Sequence, residues 1–125
     1  LALPNVAFAV ADWYDGIDAA PFDFIAANPP YVALGDPHLA DGDLRFEPAA
    51  ALASGADGLS ALRRIVTDAR AHLVPGGALA VEHGYDQSDA VQQLFRDAGF
   101  AQIAVRRDLA GIARVCAGRG LRPPA

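Results

Sequence analysis

Residues 22–31, Phe22-Asp23-Phe24-Ile25-Ala26-Ala27-Asn28-Pro29-Pro30-Tyr31, decide how this chain folds. The first six residues are nearly continuous in apolar character, which is typical of a parallel strand buried on both faces. The prolines that follow cannot donate backbone hydrogen bonds, and they end the strand. Ligands of open α/β sheets bind beyond the carboxyl ends of the strands, where this segment lies. We therefore predict a strand at residues 22–27 with a ligand-binding corner directly after it.

The corner carries the groups that a planar amide or amino group needs. Because residues 29 and 30 are prolines, the carbonyls of Asn28 and Pro29 stay free to accept hydrogen bonds, and the Asn28 side chain adds an acceptor and a donor. The flat ring of Tyr31 can cover the face of the same planar group. These residues favour methyl transfer to an amino or amide nitrogen. The alternative is a plain turn that ends the strand, since Asn and Pro are common turn residues.

The rest of the chain alternates strands with helices. Short apolar runs predict further strands at residues 6–10, 78–84, 103–106 and 112–116. The last two are joined by a short connection, which predicts an antiparallel pair. Residues 33–56 are rich in Gly, Pro and Asp, and they predict a long loop. This order of elements is that of an α/β protein with a parallel sheet.

Two amphipathic helices are predicted from apolar residues at helical spacing. The first covers residues 59–73, with Asp57 as its N-cap and Pro75-Gly76-Gly77 as its end. The second is capped by Asp86 or Ser88 and ends at Gly99.

Composition limits the class of protein. A chain of 125 residues with 53% hydrophobic and 20% charged residues fits one globular domain. The net charge of −5 argues against direct binding of nucleic acid. No apolar stretch approaches the roughly 18 residues of a membrane span, so a cytoplasmic location is expected. Cys116 is expected to pack in a strand rather than to act as a catalytic thiol, and the histidines lack the spacing of a metal site.

The chain resembles the carboxyl-terminal half of a class I S-adenosylmethionine-dependent methyltransferase, and more closely the HemK/PrmC family. That family methylates the side-chain amide nitrogen of the glutamine in the Gly-Gly-Gln motif of bacterial peptide-chain release factors. The motifs that carry the resemblance are Asp12-Trp13, Asn28-Pro29-Pro30-Tyr31, Asp36-Pro37-His38-Leu39 with Gly42-Asp43, Arg45-Phe46-Glu47-Pro48, Ala51-Leu52 with Gly55-Ala56-Asp57-Gly58-Leu59, and Glu82-His83-Gly84.

The resemblance implies a Rossmann-like α/β fold, with a mostly parallel sheet and an antiparallel carboxyl-terminal strand pair. It implies an enzyme that uses S-adenosylmethionine and acts on release factors, without a metal. Asn28, Pro29 and Tyr31 would be catalytic, and together with Pro30 they would bind the substrate amide. The Asn28 oxygen and the Pro29 carbonyl would accept its two N–H bonds. Trp13 and Asn28 would bind the cofactor.

Several alternatives stay open. The Asn-Pro-Pro-Tyr motif also marks methyltransferases that act on amino groups of nucleic acids, and a sister family methylates a glutamine of a ribosomal protein. A non-catalytic binding module could keep the same corner. Trp13 could be a rim aromatic, Asp12 a turn former and His83 a cap at a strand end. Residues 45–47 could face the protein substrate or brace the loop.

The chain departs from the family pattern before Asp12. Members of the family carry a glycine-rich turn for the cofactor there, but only eleven residues precede Asp12 and they contain no such turn. The chain also contains no Met. We therefore expect residues 1–120 to be the carboxyl-terminal portion of a methyltransferase catalytic domain whose upstream cofactor-binding half is missing. Residues 121–125 are expected to be a tail.

Overall fold

The structure is a computed structural model that describes residues 4–17, 21–29 and 58–120. Within these ranges the strands are β1 (Phe22–Ala27), β2 (Leu73–Glu82), β3 (Phe100–Arg107) and β4 (Ala113–Gly120), and the helices are α1 (Ser60–Ala69) and α2 (Ser88–Asp97). The strands form one mixed sheet in the order β1-β2-β4-β3. Strands β1 and β2 are parallel, as predicted, and β4 runs antiparallel to both β2 and β3. The predicted loop at residues 33–56 and the predicted cap Asp57 lie outside the described residues.

The core lies between one face of the sheet and the two helices. Successive side chains of β2 point to opposite faces of the sheet, so Leu79 and Val81 lie on the core face, and both are buried. Helical spacing does the same on α1 and α2, as the sequence predicts. The core side chains are Leu59, Leu62, Ile65, Val66, Ala69, Leu73, Leu79, Val81, Val91, Phe95, Phe100 and Cys116. The Phe95 and Phe100 rings lie 5.1 Å apart at an angle of 51°, a tilted arrangement that aromatic pairs favour.

The predicted antiparallel pair β3 and β4 is confirmed, and a turn at residues 108–112 joins its strands. The Asp108 Oδ1 atom accepts from the backbone N–H of Ala110 at 2.9 Å and of Ile112 at 3.0 Å. The Nε atom of Arg114 donates to Asp108 Oδ2 at 3.2 Å. The hydrogen bond from the Ile112 N–H holds the pKa of Asp108 below its ordinary value, and the contact with Arg114 contributes a smaller effect in the same direction. The Asp108 side chain thus adds to the backbone hydrogen bonds that close this hairpin, in which Asp108 donates to Ile112 and accepts from Gly111.

The predicted strand at residues 6–10 is not formed. Its apolar side chains are exposed, and Phe8 is 90% exposed. A strand requires a neighbour that pairs with its backbone N–H and C=O groups. Among the described residues, no strand of the sheet pairs with this segment. A β-like composition without a pairing partner leaves the segment irregular.

Helix α1 is shorter than predicted. It ends at Ala69, a 3-10 turn follows at Arg70–His72, and Leu73 already belongs to β2. The predicted helix stop, residues 75–77, lies inside β2, where the pairing with β1 shifts between Phe22 and Phe24. A Cβ atom at Gly77 would stand only 3.0 to 3.2 Å from three backbone carbonyl oxygens. The Pro-Gly-Gly segment therefore makes a bulge that brings two backbones close together, a role that glycine permits.

Helix α2 differs from the prediction at its start only. Gln87, and neither Asp86 nor Ser88, occupies the N-cap position. Gly99 follows the helix in the left-handed conformation, with φ at 86°, which is the expected way for a helix to end. Neither helix in the described ranges is long and apolar enough to cross a membrane.

Candidate functional site

The carboxyl end of β1 borders a cavity of about 320 Å³. Its lining residues are Trp13, Tyr14, Ile25, Ala26, Ala27, Asn28 and Ile65. The walls are mostly apolar, and the Trp13 indole and the Asn28 amide are polar groups that can fix the orientation of a ligand. The two residues that the sequence predicts for cofactor binding, Trp13 and Asn28, therefore line one cavity.

Asn28 and Pro29 follow β1 directly, in the position predicted. Asn28 is exposed, whereas Pro29 is fully buried. Among the described residues, the Asn28 side-chain amide makes no hydrogen bond, so both of its polar atoms are available to a ligand. A group that reaches the Pro29 carbonyl has to enter the protein surface. Pro30 and Tyr31 lie outside the described residues, and their roles stay predictions.

A second cavity, of about 330 Å³, lies where β1 and β2 end side by side. Asn28 and Glu82 both line it, together with Val115 of β4. Because β1 and β2 are parallel, their carboxyl ends meet at one edge of the sheet and bring these two side chains to the same place. Glu82 of the Glu82-His83-Gly84 motif thus lines the same cavity as Asn28.

Trp13 sits in a tight turn between Asp12 and Asp15. The backbone N–H of each aspartate donates to the carbonyl of the other at 3.0 Å. Trp13 has a φ of 54°, in the left-handed region that bulky residues rarely occupy. Asp12 therefore forms a turn, as the alternative reading of the motif proposes. Trp13 is 37% exposed and is one of the residues that line the cavity.

Tyr14 ties this turn to helix α1. Its hydroxyl donates to the Ile65 carbonyl at 2.9 Å, and its ring stacks on His72 with centroids 4.3 Å apart and planes 6° from parallel. Burial is the main reason that the pKa of Tyr14 is raised to about 12, and the negative charge of Asp68 acts in the same direction. Tyr14 therefore stays neutral and keeps its donor at ordinary pH. No motif or periodic pattern in the sequence marks Tyr14.

Arg64 of α1 makes a second connection to the same turn. Its guanidinium contacts Asp12 Oδ1 at 2.9 Å and Asp15 Oδ2 at 3.2 Å. These pairs join residues 52 and 49 positions apart in the sequence. No sequence signal marks Arg64 either, because Arg64 lies on the polar face of an amphipathic helix and no periodic pattern marks its partners.

The motif residue His83 closes the end of β2, as the alternative reading proposes. It is fully buried, and its Nδ1 atom lies 2.9 Å from the Gly84 carbonyl. Nδ1 therefore carries the proton, while Nε2 has no hydrogen-bond partner in the described ranges. Gln87 accepts from the Gly84 N–H at 2.8 Å and donates to the Gly58 carbonyl at 3.3 Å. This link connects Gly58, two residues before α1, to the end of β2.

In the part of the chain that the structure describes, no group of three or more His, Cys, Asp or Glu side chains could hold a metal ion. Cys116 is buried in β4, as predicted, and burial raises the pKa of its thiol to about 11. A thiol with such a pKa is almost entirely protonated near neutral pH.

No protein-family model matches the chain. Two curated relatives, both named release factor glutamine methyltransferase, match nearly all of it. The protein of Xylella fastidiosa is 50% identical over 117 residues, which are 94% of this chain and 42% of that protein. The protein of Burkholderia pseudomallei is 53% identical over 113 residues, which are 90% of this chain and 40% of that protein. The chain thus spans about two fifths of the length of these relatives.

A solved structure gives the same result at the level of the fold. The release-factor-specific protein-(glutamine-N5) methyltransferase of Alicyclobacillus acidocaldarius superimposes with a TM-score of 0.52 at 28% identity, over 81% of this chain and 50% of that chain. The predicted class I methyltransferase fold is confirmed, with this chain forming part of it. Over nearly its whole length, the chain is therefore similar to part of the release factor glutamine methyltransferases of the HemK/PrmC family, in sequence and in fold.

Proposed function

We propose that this chain carries the methyl-transfer corner of an S-adenosylmethionine-dependent protein-glutamine N-methyltransferase, whose substrates are bacterial peptide-chain release factors. The observation that carries the proposal is the shared cavity of Trp13 and Asn28 at the end of β1. The names of the relatives support the choice of substrate. A cytoplasmic location follows from this substrate.

The cavity fits the adenosine part of the cofactor. Trp13 offers an aromatic face for the adenine ring, and Ile25 and Ile65 offer apolar walls. Asn28 brings a polar group to the same cavity beside the corner where the acceptor would bind. When bound, S-adenosylmethionine supplies an electrophilic methyl group on a sulfonium.

Asn28 and Pro29 orient the acceptor. The nitrogen of a glutamine amide is a poor nucleophile, because its lone pair is delocalised into the carbonyl. The Asn28 side-chain oxygen and the Pro29 carbonyl accept its two N–H bonds, which directs the nitrogen toward the cavity. Holding the partners in a reactive geometry lowers the barrier by several kcal/mol, up to about 7–11 kcal/mol for ideal intramolecular cases. The nitrogen becomes acidic as the new bond forms, so no general base is needed beforehand.

The burial of Pro29 favours a long side chain as the acceptor. A backbone carbonyl inside the protein can be reached by an amide at the end of a flexible glutamine side chain, which enters the surface while its own backbone stays outside. Tyr31 would then pack against the plane of the amide, and Pro30 would keep the corner rigid.

The test measures transfer of an isotope-labelled methyl group to a release factor, to the same factor with Asn in place of its Gly-Gly-Gln glutamine, and to a ribosomal protein. The chain is assayed with and without an extension at its amino terminus. Labelling of the unaltered release factor alone supports the proposal. Labelling of the ribosomal protein instead would assign the sister activity.

The role of Asn28 has its own variant. Asn28→Ala removes an acceptor used to orient the nucleophile, and we expect turnover to fall about 100-fold with the fold intact. Gln92→Ala is the matched control, because it also deletes a side-chain amide, but one that bonds to Ser88 on α2. Near-normal methylation by Asn28→Ala would rule out the proposed role.

We infer that residues 1–120 form the carboxyl-terminal portion of a methyltransferase catalytic domain, that further cofactor contacts lie outside this chain, and that residues 121–125 are a tail. The chain matches only about two fifths of the length of the relatives, which supports the inference that it is one portion of a larger domain. Titration calorimetry should show at least tenfold weaker binding of S-adenosylmethionine by this chain than by the amino-terminally extended form, a difference of about 1.4 kcal/mol or more. Affinities within about twofold would place the complete cofactor site in this chain.

A further inference from the structure

We propose that Arg64 is a positioning residue for the cofactor, because it holds the Asp12–Asp15 turn in the conformation that brings Trp13 to the cavity. The inference rests on the proposed function, since it takes Trp13 as the contact for the adenine ring. Arg64 itself does not line the cavity. It would act only through the turn.

The geometry is that of one cation holding both ends of a turn. The Nη1 atom of Arg64 donates to Asp12 Oδ1 at 2.9 Å, and the Nη2 atom donates to Asp15 Oδ2 at 3.2 Å. Nη2 also lies 3.4 Å from the Asp12 carbonyl. The two carboxylates flank Trp13 and Tyr14 on either side. A planar guanidinium presents its donors in a rigid fork, so it can fix the spacing of two acceptors.

The turn needs such support because its backbone is unfavourable at Trp13. A φ of 54° is disfavoured for a residue with a Cβ atom, and most of all for a bulky one. The two backbone hydrogen bonds between Asp12 and Asp15 close the turn on itself, but they do not attach it to the helix. The attachment comes from Tyr14, which bonds to Ile65, and from Arg64.

The same contacts contribute little to the stability of the fold. The side chains of Arg64, Asp12 and Asp15 are 40%, 69% and 81% exposed. Ion pairs at such sites stabilise a protein only slightly and are screened by salt. A positioning role therefore predicts a loss of order at Trp13 without a comparable loss of global stability, whereas a structural brace predicts both together.

Trp13 is the single tryptophan of the 125-residue chain, so its fluorescence reports on this turn alone. The test compares the wild-type chain with Arg64→Gln, Arg64→Lys and, as a matched control, Arg96→Gln. Arg96 is an arginine of α2 that donates to Gln93 within its own helix. In Arg64→Gln we expect lower fluorescence anisotropy and about twofold stronger quenching by acrylamide, at an unchanged melting temperature. Arg64→Lys should restore part of the effect, and Arg96→Gln should show none.

Cofactor binding is then measured by calorimetry with S-adenosylmethionine. We expect Arg64→Gln to bind about three- to tenfold more weakly than the wild type, with high salt reducing that difference. Unchanged anisotropy and quenching in Arg64→Gln would overturn the proposal, and so would altered fluorescence with unchanged affinity. If the wild-type chain and its amino-terminally extended form both fail to bind the cofactor, the proposed function is wrong. The measurements without cofactor still decide whether Arg64 holds the turn.

Discussion

The helix-covered side of the sheet and the segment at residues 4–17 are held in place by different forces. In the first, large side chains such as Leu62, Leu79 and Phe95 are fully buried against one another. In the second, Phe8 and its apolar neighbours face solvent, and the attachment to α1 depends on Tyr14 and Arg64. The first kind of contact stabilises in proportion to buried area, and the second depends on direction and distance.

This difference bears on function, because Trp13 lies in the weakly attached segment and Asn28 follows a strand of the sheet. Regions with few buried apolar contacts open locally at a lower free energy than the core. We therefore expect the Trp13 side of the cavity, where we propose that the cofactor binds, to be easier to perturb than the Asn28 side.

The largest effect is expected for Phe95→Ala. Phe95 is fully buried between the helices and the sheet, so its truncation should lower the free energy of unfolding by about 3–5 kcal/mol in urea titrations. Phe24→Ala is the matched control, because Phe24 is 58% exposed on the other face of the sheet, and we expect a change within about 0.5 kcal/mol. An equal loss of stability in the two variants would mean that both faces of the sheet are covered. The contrast between the buried core and the exposed parts of the molecule would then be wrong.

Tyr14→Phe should have a smaller and more local effect. The variant keeps a ring that can stack on His72 but loses the hydrogen bond to Ile65. We expect a cost of about 0.5–1.5 kcal/mol, seen mainly as faster hydrogen exchange of the Asp15 amide. A fall in global stability as large as that of Phe95→Ala would show that the turn is part of the cooperative core.

The same residue predicts a pH dependence. Burial, assisted by Asp68, raises the pKa of Tyr14 from 10.0 to about 12 in the folded chain. A raised pKa contributes stability that is complete below about pH 10 and is lost as the pH rises toward 12. The advantage of the wild type over Tyr14→Phe should therefore shrink across that interval in urea titrations. A constant difference would place the Tyr14 hydroxyl in solvent.

The sequence predicts the elements of the packed core better than it predicts the segment at residues 4–17. Strand β1, the two helices and the β3–β4 pair were predicted, because apolar periodicity and turn residues are local signals. The strand at residues 6–10 was wrong, since pairing depends on a neighbour that composition does not reveal. The end of α1 was wrong because the Pro-Gly-Gly segment, a helix stop by sequence, is a bulge in β2.

The residues of the candidate site also differ in how well the sequence predicts them. The family resemblance placed Trp13 and Asn28 in a common site, and they line one cavity. Tyr14 and Arg64, which hold the Trp13 turn, escaped the sequence analysis because their partners are about 50 positions away. Long-range polar contacts between exposed residues leave no periodic trace in a single sequence.

The smallest effect is expected for Asp108→Asn, which tests a polar contact that is local in sequence. Asparagine keeps an oxygen for the N–H groups of Ala110 and Ile112 but loses the ion pair with Arg114. We expect a slightly lower melting temperature at neutral pH, and a larger decrease for Asp108→Ala, which loses all three of these side-chain contacts.

The pKa of Asp108 lies below its ordinary 3.8, so the contribution of its charge is present above about pH 4 and is lost as the pH falls through the lowered pKa. The difference between the wild type and Asp108→Asn should therefore disappear in acid, which thermal unfolding at several pH values would measure. A difference that persisted in acid would trace the effect to the geometry of the turn rather than to the charge. Loss of this charge should leave Trp13 fluorescence unchanged, in contrast to the loss of Arg64, because Asp108 belongs to the hairpin and Arg64 holds the turn beside the cavity.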